Sequence, residues 1–340
     1  MRRVAKLLLG PGAAVLLIVG LIGAPAATAA STSATSCVRA NDIEAIVDDS
    51  ISMEFSDAGR LRVQAMNLLI GTLSPKTRLG AIEFGSGFLE QPAANTLFPP
   101  QPVGPNATAM RTALDTAIHA DNGATDYNSA FAKADLDNPD ADAKIFLTDG
   151  GHVEGPYNDA HLGHKVPTYV IGFGSGLSSG EDQARLKKIA KVTRGQYFPV
   201  KEAGELQSVM NSVSAALTCQ TPPRQFTDTL AEGQSKSHGV AIGAATKTVQ
   251  ITLTWTDPSD KFKLTGLRLV GKNGLVAVAS AKRKRPPSKL KVTKTTSSTF
   301  TILKISKLRK GTLRFKVKGA KVDSAAKATL TTQVGQSRRK

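Results

Sequence analysis

The sequence holds two cysteines in 340 residues. That is too few for a disulfide-stapled small scaffold or a multi-cysteine zinc protein. Aromatic residues are scarce at 5%, with one tryptophan, which argues against a dedicated single-strand nucleic-acid reader. After the first 30 residues no apolar run approaches a membrane span. Acids nearly vanish from the last third. Residues 225–340 carry 25 Lys/Arg against 5 Asp/Glu, a net of +20, whereas residues 1–224 carry 19 against 22, a net of −3. The formal charge of +17 therefore averages two unlike halves. Any polyanion contact it suggests belongs to the second half. The chain length suggests two domains, and 41% apolar content can supply their cores.

Residues 1–30 read as an export signal. Arg2, Arg3 and Lys6 give a positive start, an apolar stretch follows, and Ala27-Thr28-Ala29 is a small-x-small cleavage site. The alternative is an uncleaved anchor, since the stretch is near the lower limit for a span. Without the leader's three cations, residues 31–224 carry a net of −6. Export implies a secreted or envelope-associated protein in an oxidising compartment, where Cys37 and Cys219 are expected to pair. Two unpaired buried thiols are the rival reading.

Between residues 37 and 219, apolar runs alternate with helical patterns. Strands are expected at 43–47, 79–84, 144–148, 167–172 and 195–200. Helices are expected over about 57–73, 108–119, 126–134 and 181–192. Leu206, Val209, Met210, Val213 and Leu217 share one further helix face. This alternation predicts an α/β domain with a doubly wound, mostly parallel sheet, which binds ligands beyond the carboxyl ends of its strands. There the polar residues collect. Asp48, Ser50 and Ser52 follow the first strand, Thr125 precedes a helix, and Asp149 follows Ile145-Phe146-Leu147-Thr148. Hydroxyls and carboxylates are hard oxygen donors, suited to Mg²⁺, Mn²⁺ or Ca²⁺.

These residues resemble the metal-ion-dependent adhesion site of von Willebrand factor type A domains. Asp48-x-Ser50-x-Ser52 matches the D-x-S-x-S motif, Thr125 the later threonine and Asp149 the later aspartate. The stretches IGFGSG at 171–176 and LKKIAKVTRGQYF at 186–198 are similar to the family's late strand, helix and strand. The resemblance implies a Rossmann-like sheet with a divalent cation, Mg²⁺ foremost, at its top edge. Ser50 and Ser52 would ligate directly, Thr125 directly or through water, and Asp48 and Asp149 largely through water. A partner protein's Asp or Glu would take the open position. Ile51 replaces the glycine common between the serines, and a branched residue there resists positive φ.

Other motifs carry less. His152, His161 and His164 lack a fourth zinc ligand at usual spacing. Asp135, Asp137, Asp140 and Asp142 alternate like a calcium loop but lack its Gly and Glu. Residues 172–176 match neither a nucleophile elbow nor a dinucleotide loop. No catalytic triad or dyad is evident, so no enzyme activity is expected. Asn106-Ala107-Thr108 is a glycosylation sequon.

Residues 220–224, with Pro222-Pro223, read as a linker. Over 225–335 the period becomes two. Val249, Ile251, Leu253 and Trp255 alternate with Gln250, Thr252 and Thr254, and Leu313, Phe315 and Val317 with Arg314, Lys316 and Lys318. This predicts an all-β sandwich or jelly roll of seven or eight strands. The stretch 251–274 resembles secreted β-sandwich modules that follow bacterial peptidases, with Lys261 and Lys263 in the region of their aspartate-rich strands. Lys282, Arg283, Lys284 and Arg285 form a tight cationic cluster, a candidate contact for an anionic envelope polymer or lipid surface.

The leading expectation is a secreted, cation-dependent adhesion protein with a basic β domain on an anionic surface. One alternative makes the first domain a scaffold for a polyanion-binding module. Another makes the protein an accessory subunit of a secreted enzyme complex.

Overall fold

The computed structural model describes residues 39–338, apart from 86–92, 120–122, 164, 175–179, 273, 279–287 and 324–326. The expected leader, Cys37, His164 and the Lys282, Arg283, Lys284, Arg285 cluster lie outside the described residues.

The first domain is built on a six-stranded sheet. Its strands are β1 (Asp42–Asp48), β2 (Arg78–Phe84), β3 (Ala94–Pro102), β4 (Ala143–Thr148), β5 (Thr168–Phe173) and β6 (Gln196–Val200), in the order β3-β2-β1-β4-β5-β6. All neighbours are parallel except β2 and β3. β1 and β4 are central and buried on both faces. Ile43, Ala45 and Val47 with Ala143, Ile145 and Leu147 enter one apolar layer, while Ile46 and Phe146 enter the other. The pleat accounts for this alternation, and the continuous apolar runs for the two-sided burial. Helices α2 (Leu61–Thr72), α3 (Val103–Ala117) and α6 (Leu206–Leu217) cover the first layer. Helices α4 (Tyr127–Asp137) and α5 (Gly180–Val192) cover the second. A one-turn helix, α1 (Met53–Ser56), follows β1.

Sequence periodicity misses β3, because Pro99, Pro100 and Pro102 argue against a strand. β3 is an edge strand, where proline removes no needed ladder donor. Helix α3 also starts earlier than expected, at Val103, with Pro105 in its first turn, where the N–H has no helical partner.

The second domain has ten strands rather than seven or eight. They are β7 (Arg224–Leu230), β8 (Ser235–Ile242), β9 (Thr246–Trp255), β10 (Lys261–Gly271), β11 (Gly274–Val278), β12 (Ser288–Lys289), β13 (Lys291–Thr296), β14 (Phe300–Ser306), β15 (Gly311–Lys321) and β16 (Ala328–Arg338). They form two five-stranded sheets, β12-β11-β10-β15-β8 and β13-β14-β9-β16-β7. Val249, Ile251, Leu253 and Trp255 share one core with Leu313, Phe315 and Val317.

The polar phase of β9 is not a solvated face. Gln250, Thr252 and Thr254 are buried. Asn211 of α6 accepts from Gln250 Nε2 at 3.3 Å and Thr252 Oγ1 at 3.0 Å, and donates to Gln333 Oε1 at 3.0 Å. Nearby, Gln207 Nε2 donates to Thr299 Oγ1 at 2.7 Å, which donates to Gln64 Oε1 at 3.1 Å. Leu68 packs with Phe300 and Ile302. Residues 220–224 are correspondingly engaged: Gln220 bridges to Ser337, and Thr221 N–H donates to the Gln336 carbonyl at 2.8 Å.

Candidate metal centre

The carboxyl ends of β1 and β4 and the N-terminal approach to α4 bring five expected residues together. Ser50 Oγ lies 3.1 Å from Ser52 Oγ and 3.2 Å from Thr125 Oγ1. Ser52 Oγ donates to Asp149 Oδ1 at 2.7 Å. Asp48 stands behind them. Its Oδ1 accepts from the Ser50 amide at 2.9 Å and its Oδ2 from Thr148 Oγ1 at 2.5 Å, which holds the serine loop against the sheet. Asp48, Ser50, Thr125 and Asp149 are all buried.

The two carboxylates are under strain of charge. Burial, and then the nearby Asp149 carboxylate, push Asp48 up to about 7. Burial likewise raises Asp149, against hydrogen bonds from Ser56 and Ser52 that lower it. Removal from water disfavours an uncompensated negative charge.

The surrounding chain explains how the loops hold their shape. Ile51 is not among the residues with positive φ, so the serine loop needs no glycine between its serines. The special backbone lies on the neighbouring loop instead. Gly85 has φ +113, and a Cβ there would collide with the Ser50 amide nitrogen. Gly174, at φ +83, similarly passes close to Ser56 and Asp149. Beneath the loop, Arg62 is buried between two buried carboxylates. Its Nη2 meets Asp49 Oδ1 at 2.5 Å and its Nη1 meets Asp57 Oδ2 at 3.0 Å. Asp57 also accepts from the Leu61 and Arg62 amides, starting α2. Asp49 accepts from the His119 amide at 2.8 Å. This clamp ties the serine loop to α2 and to the end of α3.

Sequence reading missed several of these positions. Ser56 donates to Asp149 Oδ2. The signal for it was Ser52 plus four residues, one helical turn on. Thr148, next to Asp149, and Gly85, at the end of β2, had only their positions at strand ends to mark them.

The remaining candidates do not assemble. The described residues contain no group of three His, Cys, Asp or Glu able to hold an ion. His152 Nδ1 accepts from the Tyr127 amide at 3.1 Å, and burial lowers its pKa. His161 lies exposed on a separate turn. Asp135 and Asp137 pair with Lys144 and Lys133, while Asp142 accepts the Asn41 and Asp42 amides. Asn106 donates to the Pro102 carbonyl at 2.8 Å. Cys219 follows α6 at φ +55 and is no free thiol.

A second charged surface is ordered. Lys263 lies opposite Lys318 and Arg268 opposite Arg314 in the β10–β15 pairing, with Lys316 between Arg314 and Lys318. Paired residues point to the same face. Lys263, Arg314, Lys316 and Lys318 are exposed and Arg268 half-buried. None forms an ion pair among the described residues.

Strand order and the three converging loops decide the architecture. The first domain, a mostly parallel sheet flanked by helices, is similar to a von Willebrand factor type A domain. Three solved structures are similar to this chain. A von Willebrand factor type A protein from Catenulispora acidiphila is 15% identical over 88% of this chain and 59% of its own, with a TM-score of 0.42. Proximal thread matrix protein 1 from the mussel byssus, solved with a zinc-occupied adhesion-site motif, is 17% identical over 58% of this chain and 51% of its own, with a TM-score of 0.42. The pilus adhesin SpaC from Lactobacillus rhamnosus GG is 11% identical over 89% of this chain and 44% of its own, with a TM-score of 0.44. The chain thus spans about half the length of these three proteins. No family model and no curated protein matches the sequence. No helix among the described residues is long and apolar enough to cross a membrane.

Proposed function

We propose that the protein is a secreted adhesion protein that binds a partner through a divalent cation held by Ser50, Ser52, Thr125 and Asp149, with Asp48 supporting the serine loop. One observation carries this reading: the neighbouring oxygens of these four side chains lie 2.7–3.2 Å apart. These are hydrogen-bond distances between the side chains, and they gather hard oxygen donors suited to a divalent cation, of which we propose Mg²⁺. The ion would supply positive charge to two buried carboxylates and an open position for a partner's Asp or Glu.

Titration calorimetry with Mg²⁺ tests the site directly. The full chain should bind one ion, and Ser50→Ala or Asp149→Ala should lower the affinity at least tenfold. Equal binding by all three proteins would overturn the assignment.

The β domain supports a second contact. Along β15, alternate cations stand about 6.7 Å apart, and with Lys263 and Arg268 they present five cations on one face, none in an ion pair among the described residues. We assign this face, together with the Lys282, Arg283, Lys284, Arg285 segment, to an anionic envelope polymer or lipid surface. The reading also includes removal of residues 1–30 on export, a Cys37–Cys219 disulfide, and no catalytic activity of the chain itself.

A further inference from the structure

Lys304 is a cation in an unusual place. Phe300, Ile302 and Lys304 fall on one phase of β14, and the first two pack against Leu68 of α2. Lys304 lies opposite Gln250 of β9, which bonds to Asn211 of α6, so both face the first domain. Lys304 Nζ donates to the Leu73 carbonyl at the end of α2, at 3.0 Å. That uses one of its three protons. It forms no ion pair among the described residues, and burial pushes its pKa below the ordinary lysine value. A cation drawn out of water in this way normally has a carboxylate beside it.

The space around it is a cavity of about 290 Å³ where the two domains meet. Arg39, Ser74 and Thr218 line it from the first domain, and Lys247, Thr248 and Ser337 join Lys304 from the second. Arg39 precedes β1 and Ser74 precedes β2. The cavity therefore lies at the amino ends of the parallel strands, opposite the edge that carries Asp48 and Asp149.

Its lining is rich in donors. Arg39 gives one guanidinium N–H to the Thr218 carbonyl, at 3.4 Å, and has four more. Lys247 is exposed and, like Arg39, forms no ion pair among the described residues. Ser74 Oγ accepts from the Lys76 amide at 3.3 Å, which leaves its own proton to donate. The Thr248 and Ser337 hydroxyls bond to each other, and one of their two protons is left over. No carboxylate among the described residues lines the space. Three cations around a small polar cavity, with no counter-charge of their own, suit an anion with several acceptor oxygens.

We propose that this cavity is a phosphate site, taking the free ion or a phosphate monoester, in which Lys304, Arg39 and Lys247 supply the charge and Ser74 and Thr248 further donors. The bound group would join the two domains, because its partners come from both. The site is independent of the metal centre. It is also separate from the cationic face, which lies on the other β sheet.

The test is titration calorimetry of the full chain with sodium phosphate at neutral pH, in EDTA and at an ionic strength fixed with sodium chloride. One phosphate should bind per chain. Lys304→Gln and Arg39→Gln should each weaken it at least about tenfold, the effect of losing a charge-assisted hydrogen bond. Arg39 is exposed, so its variant tests the site without touching a packed side chain. Lys236→Gln, which removes an exposed cation from β8 on the other sheet, should leave binding unchanged. Sodium acetate, with fewer oxygens and less charge, should bind at least about tenfold more weakly than phosphate. Phosphate should raise the melting temperature of the wild type and not that of Lys304→Gln, since a ligand stabilises the state that binds it. Glycerol phosphate separates the two sources. Affinity equal to or above that of phosphate assigns the site to a monoester, and weaker binding assigns it to the free ion. The proposal is overturned by any of four results: no phosphate binding by the wild type, undiminished binding by both Lys304→Gln and Arg39→Gln, an equal loss in Lys236→Gln, or acetate binding as tight as phosphate.

Discussion

Arg62 shows how much of the site depends on a residue that faces no ligand. It is buried against Asp49 and Asp57, so its removal leaves two carboxylates out of water with no cation between them. Breaking such a buried pair costs about 3–5 kcal/mol. Arg62→Ala should therefore lower the denaturation midpoint sharply in urea. A change below about 1 kcal/mol would mean that the clamp contributes little. At the opposite end of β1, Glu44 is fully buried, and burial pushes its carboxyl up to about 8 from an ordinary 4.5. The folded chain thus keeps a proton that the unfolded chain releases, and stability from this residue falls as pH rises from about 4.5 to about 8. Glu44→Gln should remove that slope, gaining on the wild type at pH 8 and not at pH 4.5. Urea midpoints at the two pH values measure the difference.

At the level of elements, the loops between strand and helix matter more than the elements they join. Gly85 combines φ +113 with contact against the Ser50 backbone, so no side chain fits without moving the serine loop. Gly85→Ala should reduce Mg²⁺ affinity at least tenfold, with β1 and β2 intact by circular dichroism. Unchanged affinity would show that the loop can yield. The sequence makes the central strands and most helices visible, because buried parallel strands need unbroken apolar runs and amphipathic helices need their 3.6 period. The convergence of Asp48, Ser50, Ser52, Thr125 and Asp149 is legible for a related reason: sheet topology delivers strand ends to one edge. The Arg62 clamp is not legible, since an arginine within a helix reads as a surface residue until its two distant carboxylates are known. Gln250 and Thr252 are misleading in the same way. Alternation marks them as the outward phase but cannot say that α6 covers them.

For the molecule as a whole, that covered face decides cooperativity. Leu68 packs with Phe300 and Ile302 across the boundary, and Asn211 bonds to three residues of the β domain. Asn211→Leu would leave Gln250, Thr252 and Gln333 without their buried partner, at a cost of about 1–3 kcal/mol. Calorimetry should show one transition for the native chain and two for this variant. Two transitions in both would mean that the domains melt independently. The boundary also bears on where tension would run. The chain enters the β domain on β7 and leaves it on β16, and these strands are antiparallel neighbours, with Arg224 opposite Val334. Residues 220 and 221 already touch residues 337 and 336 before β7 begins. A pull applied at the metal centre and resisted beyond residue 338 would therefore pass from α6 straight into the last strand. The sheet β12-β11-β10-β15-β8, which carries the cationic face, would lie outside that path and keep its shape while the first domain is under force.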